Sequence, residues 1–149
     1  MNDVRSKGKI ALAVASSGIA SLLLPGGRTP HSHFRIPLDI HEHSVCSIKK
    51  NTHIAQLAQE TSLIIWDEAP VNHRHLFEAL DRTLEDIMSS KHSSLSGQQF
   101  GGITVVLGGD FRQTLPVLPN ERKHTITSMA SLQSYAPYRK YETSVSIPV

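Results

Sequence analysis

Short apolar runs alternate with amphipathic or polar stretches along most of this chain. KIALAVA, Lys9 to Ala15, is nearly all apolar and too short for a helix, which predicts a strand buried on both faces. SSGIASLLL after it predicts a short helix with Ser16 and Ser17 in its first turn. LPGGRTPHSHFRIP has prolines, a Gly-Gly pair and no period, and predicts a loop. Between Lys49 and Glu60, Ile54, Leu57 and Ala58 fall at helical spacing, and TSLIIWDE predicts a second buried strand. From Val71 onward, Leu76, Phe77, Leu80, Leu84, Ile87 and Met88 form one apolar stripe. VNHRHLFEALDRTLEDIMSS therefore predicts an amphipathic helix, approached through Pro70. KHSSLSGQQFGG reads as a polar connector and ITVVLGGD as a third buried strand.

Strand, helix and strand in succession, with β-branched runs, predict a parallel sheet covered on both faces and linked by right-handed crossovers: an α/β domain. Beyond Leu118 no strong period remains, and residues 119–149 are an unassigned tail. The length of 149 residues suits one domain with a real core, and 39% hydrophobic against 19% charged residues argues against wholesale disorder. A formal charge of +2 permits an anionic polymer as partner without requiring one. The single cysteine, Cys46, excludes an internal disulfide and leans towards a reducing compartment. The polar start MNDVRSKGK argues against a secretory leader, and no apolar run approaches the ~20 residues of a membrane span, so no membrane partner is expected.

Candidate chemistry sits at the strand ends. SLIIWDEAP closes an apolar run on adjacent carboxylates, Asp67 and Glu68. Such acids at the carboxyl end of a parallel strand lie where open α/β sheets bind ligands. In phosphate-loop nucleoside triphosphatases the first acid of such a pair holds Mg²⁺ through its water shell, and the second orients or deprotonates the attacking water. Equally, the pair can solvate a strand end and favour the start of the following helix. The third strand runs into GGDFRQTLPV, which sets Asp110, Arg112 and Gln113 just past a neighbouring tip, where a glutamine can reach a γ-phosphate or the water. A tight turn with solvent-facing polar residues has the same composition.

LAVASSGIASLLLPGGRTPHSHFRIPL, SLIIWDEAP, FEALDRTLEDIM and FGGITVVLGGDFRQTLPV, in this order, resemble the petite-integration-frequency family of superfamily 1 DNA helicases. The likeness is to its expanded plant branch, related to the helicase modules of rolling-circle transposons, and it spans roughly Gly8 to Leu118. It implies that residues 1–118 are a partial RecA-like domain, the first motor domain of an ATP-dependent helicase. Such a motor uses ATP and Mg²⁺, moves 5′ to 3′ along single-stranded DNA, and serves repair, recombination and telomere maintenance in the nucleus or, alternatively, the mitochondrion. By the same resemblance Asp67 is the Mg²⁺-coordinating acid, Glu68 the catalytic base and Gln113 the γ-phosphate sensor. The stretch Ser16 to Phe34 resembles the DNA-facing motif. In it, the hydroxyls of Ser16, Ser17 and Thr29 bond phosphates, His31 contacts phosphate or base, and Phe34 stacks on a base. Arg28 and Arg35 pair with the phosphate backbone. Each of these positions also reads as a plain surface residue, and Phe34 as a core plug.

The glycine-rich phosphate loop of the family, G-x-x-x-x-G-K-[ST], is not matched in these 149 residues, nor is a second motor domain. The chain taken alone is therefore expected to show no useful ATP turnover and no unwinding. A steady-state ATPase assay with single-stranded DNA, showing turnover abolished by Glu68→Gln, overturns that expectation. A sheet without its expected first strand also exposes an edge, and with it a risk to stable folding. Two further readings stand beside this one. Tyr135, Tyr138 and Tyr141 lie near Arg139 and Lys140, a composition suited to a non-catalytic single-stranded nucleic-acid-binding module. The pairs His31/His33 and His41/His43 have spacing suited to Zn²⁺, whereas His73 and His75, two apart on a helix, are expected on different faces.

Overall fold

The computed structural model describes residues 2–109. A short helix α1 (Asn2–Ser6) leads into strand β1 (Ile10–Ala15), followed by helices α2 (Gly18–Leu22), α3 (Pro30–Phe34) and α4 (His53–Glu60). Strand β2 (Thr61–Asp67), a 3₁₀ turn at Ala69–Val71, helix α5 (Arg74–Lys91) and strand β3 (Thr104–Leu107) complete the order. The strands form one three-stranded sheet in the order β1-β2-β3, and both pairings are parallel. This is the expected α/β arrangement of a parallel sheet with helices between its strands. No helix among the described residues is long and apolar enough to cross a membrane.

Register explains the core. Leu12, Ile64 and Val105 lie side by side across the sheet, as do Val14, Trp66 and Leu107. This face joins one apolar cluster with the α5 stripe Leu76, Phe77, Leu80, Leu84, Ile87 and Met88. The Trp66 and Phe77 rings meet at 4.5 Å between centroids. The opposite face is closed only over β1, where Ala11, Ala13 and Ala15 are buried. On β2 and β3, Leu63 and Ile65 are half-buried and Thr104 and Val106 are exposed, so cover on both faces does not extend to β3 among the described residues. The outer edge of β1 is not bare: Ala15 N–H donates to the Arg28 carbonyl (3.1 Å) and Arg28 N–H to that of Ala13 (3.3 Å).

Local chemistry moves several boundaries. Thr52 caps α4, its side chain accepting from the Ala55 amide. Pro70 occupies the 3₁₀ turn, so α5 starts at Arg74 with His73 as its cap. The stretch expected as loop contains α3, because the Thr29 hydroxyl caps it and Pro30 takes a first-turn position that needs no amide proton. The following loop is clamped to α5: Arg82 Nη2 donates to the Ser44 carbonyl (2.7 Å) and Cys46 N–H to Thr83 Oγ1 (2.9 Å). Burial raises the Cys46 thiol pKa to about 11, so it stays protonated. The connector before β3 is anchored as well. Phe100 N–H donates to Asp81 Oδ1 (2.5 Å), and a Cβ on Gly101 would sit 2.5 Å from Met88 Cγ, which only glycine avoids.

Candidate functional site

Because the sheet is parallel, the carboxyl ends of its strands share one rim, with Ala15 beside Asp67 and Trp66 beside Leu107. Backbone pairing continues past the strands. Ser16 N–H donates to the Asp67 carbonyl (3.3 Å), Gly108 N–H to that of Trp66 (2.8 Å), and Ala69 N–H to that of Gly108 (2.8 Å). The segments leaving all three strands are thus tied together at the acid pair.

Glu68 adopts the left-handed conformation, φ 52° and ψ 33°. For a residue with a side chain this costs roughly 1–2 kcal/mol, and surrounding bonds must hold it. They do. Its amide donates to Asp67 Oδ1 (2.9 Å), and its carbonyl accepts from Val71 N–H (3.1 Å) and from the Ser16 hydroxyl (2.6 Å). The Asn72 side-chain amide in turn donates to the Ser16 oxygen. Gly109 (φ 139°) packs against this turn, and a Cβ there would lie 2.5 Å from Pro70 Cδ and 3.3 Å from Glu68 Cα. The chain leaving β3 therefore starts out against Glu68. Asp67 and Glu68 are both half-buried residues, and the Glu68 carboxylate has no hydrogen bond or ion pair among the described residues. Asp110, Arg112, Gln113 and the tail tyrosines lie outside the described residues.

The segment after β1 contains two corrections. Phe34 is only 2% exposed and belongs to the core cluster, so it cannot stack on a base. The Ser16 hydroxyl gives its proton to the Glu68 carbonyl and receives the Asn72 amide, so it is not a free phosphate donor. The others stand differently. Ser17 and Thr29 cap α2 and α3 by accepting from the amides of Ala20 (3.1 Å) and Ser32 (3.3 Å). Capping uses an oxygen lone pair and leaves each hydroxyl proton to donate. His31 Nδ1 lies 3.1 Å from the Ile36 carbonyl and so carries its proton there. Arg28 and Arg35 are exposed and make no ion pair among the described residues.

The histidines differ from expectation too. His73 caps α5 from extended backbone, which brings its ring to 4.4 Å from that of His75 instead of onto another face. Among the described residues no group of three or more His, Cys, Asp or Glu side chains is placed to hold a metal ion. Burial first, then the Arg28 charge, lowers the His33 pKa below its ordinary 6.5; burial likewise leads the lowering at His73 and His75. A lowered histidine adds nothing above pH 6.5, where folded and unfolded forms are both neutral. Below it the unfolded chain takes up protons that the folded chain refuses. Stability should accordingly fall as pH drops from 6.5 towards the folded values, and His33→Phe should flatten the fall. Urea midpoints between pH 7.5 and 5.5 measure this; midpoints constant over that window would contradict it.

Asn72 has a role that sequence reading missed, and it carries no signal in local pattern because it acts through a contact with Ser16 at the end of another strand. The glycine pair after β3 is different: a Gly-Gly step signals close backbone approach, and Gly109 makes one.

A model of the family described as PIF1-like helicase matches residues 1–143. The chain is 31% identical over 105 residues to the ATP-dependent DNA helicase Pif1 of Psychrobacter sp. (strain PRwf-1), an alignment that covers 69% of this chain and 15% of that protein. The crystal structure of Bacteroides Pif1 bound to ssDNA superposes with a TM-score of 0.70 at 26% identity, over 93% of this chain and 32% of that one. Bacteroides Pif1 in complex with ADP-AlF3 and ssDNA gives a TM-score of 0.67 at 26% identity, over 87% and 29%. The chain therefore spans about a third or less of the lengths of the relatives it matches.

Proposed function

Since the chain belongs to the PIF1-like helicase family, we propose that it supplies part of the first motor domain of an ATP-dependent DNA helicase that moves 5′ to 3′ on single-stranded DNA. Asp67 and Glu68 fit the metal and water roles. They are hard oxygen donors at the carboxyl rim of a parallel sheet, and no neighbouring cation neutralises the Glu68 carboxylate among the described residues. Asp67 would hold Mg²⁺ through its water shell, and the metal, when bound, offsets charge on the triphosphate. Glu68 orients the attacking water and accepts its proton, while Gln113 senses the γ-phosphate. Ser17, Arg28, Thr29, His31 and Arg35 face the DNA backbone. The uses of the parent enzyme would be repair, recombination and telomere maintenance.

The observation that carries this reading is the held turn at Glu68. A strained backbone fixed by bonds from neighbouring strand ends, around a carboxylate with no partner of its own, suits a preorganised base better than a solvated strand end. The nucleic-acid half is tested by fluorescence anisotropy of this chain on labelled oligo-dT. Affinity should fall with salt, and Arg28→Ala and Arg35→Ala should each reduce the salt slope by about 0.7, the contribution of one phosphate contact on a single strand. An affinity indifferent to salt would refute it.

A further inference from the structure

The hydroxyl of Ser16 sits between two parts of the site that are far apart in sequence. Ser16 directly follows β1 and immediately precedes Ser17, where the segment containing Arg28, Thr29 and Arg35 begins. Its one proton can go to only one acceptor, and the Glu68 carbonyl at 2.6 Å is the nearer, the Asp67 carbonyl lying at 3.3 Å. With that proton committed, its oxygen must accept from Asn72, which fixes the asparagine with its NH₂ towards the serine. Asn72 is itself held, its backbone N–H donating to the Ala69 carbonyl (3.1 Å). The Glu68 carbonyl thus has both acceptor positions filled, one by Val71 within its own turn and one by Ser16 from another strand. Only the second can report movement of the segment after β1.

We propose that Ser16 and Asn72 are positioning residues for Glu68, a clasp through which occupancy of the Ser17–Arg35 segment by single-stranded DNA is felt at the acid. The inference rests on reading Asp67 and Glu68 as the metal and water acids, and it adds a physical connection from the DNA-facing segment to that site. Loss of the hydroxyl leaves the turn held by Val71, by Asp67 and, through the Ala69 amide, by Gly108, so it persists. The Ser16 amide still meets the Asp67 carbonyl, but no bond from the segment after β1 then reaches the Glu68 carbonyl.

The test uses this chain labelled with ¹³C at aspartate and glutamate carboxyls. In the unmodified chain, MgCl₂ should shift the Asp67 and Glu68 resonances, and saturating oligo-dT, with saturation checked by anisotropy, should shift Glu68. In Ser16→Ala the Mg²⁺ response should remain and the oligo-dT response at Glu68 should be lost, with oligonucleotide affinity unchanged. Ser16→Thr, which keeps the hydroxyl, should restore it; a purely space-filling role would not be rescued this way. Should the alanine variant not fold, Asn72→Ala, which frees the serine hydroxyl to rotate, should weaken the same response. A Glu68 response to oligo-dT that is absent in the unmodified chain, or unchanged in Ser16→Ala or Asn72→Ala, overturns this inference alone. Carboxylates that ignore Mg²⁺ in the unmodified chain overturn the reading of the acid pair itself, and the inference with it.

Discussion

Phe34→Ala should destabilise the fold by about 3–5 kcal/mol, the usual cost of removing a buried aromatic ring. The ring is 2% exposed and sits in the same cluster as Val14, Trp66 and Phe77. Domains of this size hold only ~5–15 kcal/mol in total, so the alanine variant should lose a large fraction of its stability and unfold at a much lower denaturant concentration. Chemical denaturation measures the loss directly. A second variant keeps the test clean: Phe34→Leu retains most of the buried volume and should fold. Were Phe34 a base-stacking platform, removing the ring would cost ~1–3 kcal/mol of single-strand affinity. With the ring in the core, Phe34→Leu should bind oligo-dT as tightly as the unmodified chain. Large stability loss in one variant and intact binding in the other assign Phe34 to the core. The reverse pattern would reinstate it on the DNA.

That residue also shows how far pattern reading reaches. The α5 stripe was legible because a helix in contact with a sheet repeats its apolar positions every turn, and all of Leu76, Phe77, Leu80, Leu84, Ile87 and Met88 are buried. The strands were legible as apolar runs, and their parallel pairing followed from the helices between them. Phe34 and Phe100 were not, since each is a single aromatic in a polar stretch with no period to betray burial. Helix α3 hid for a related reason: a five-residue helix is set by its Thr29 cap and Pro30 rather than by amphipathicity. At the site, the acids announced themselves as adjacent carboxylates after an apolar run. Ser16 did not, because its partners, Glu68 and Asn72, stand more than fifty residues away in sequence. Sequence offered it as a phosphate ligand, and only packing of strand ends reveals it as a backbone anchor.

Glu68→Gln should leave the fold intact and remove the chemistry. The bonds that hold this turn use the Glu68 amide and carbonyl, not its carboxylate. An isosteric amide therefore changes stability little, within roughly 0.5 kcal/mol as for most substitutions that break no contact. Its effect on hydrolysis is of another order. A glutamine can still touch the attacking water but cannot accept its proton, and positioned proton transfer is worth about 10²–10⁴ in rate. That corresponds to roughly 3–5 kcal/mol on the barrier. The measurement is made in a hybrid in which residues 10–109 of this chain replace the matching segment of the longer Bacteroides Pif1. In that hybrid, Glu68→Gln should lower kcat by the stated factor with the KM for ATP little changed, because the interaction removed is made only as the water attacks. Asp67→Asn, by contrast, should weaken the proposed hold on the metal and so raise the Mg²⁺ concentration required for half-maximal rate. A hybrid whose Glu68→Gln variant turns over ATP as fast as its parent would dismiss Glu68 as the base. The left-handed turn would then be a structural feature of the strand end and nothing more.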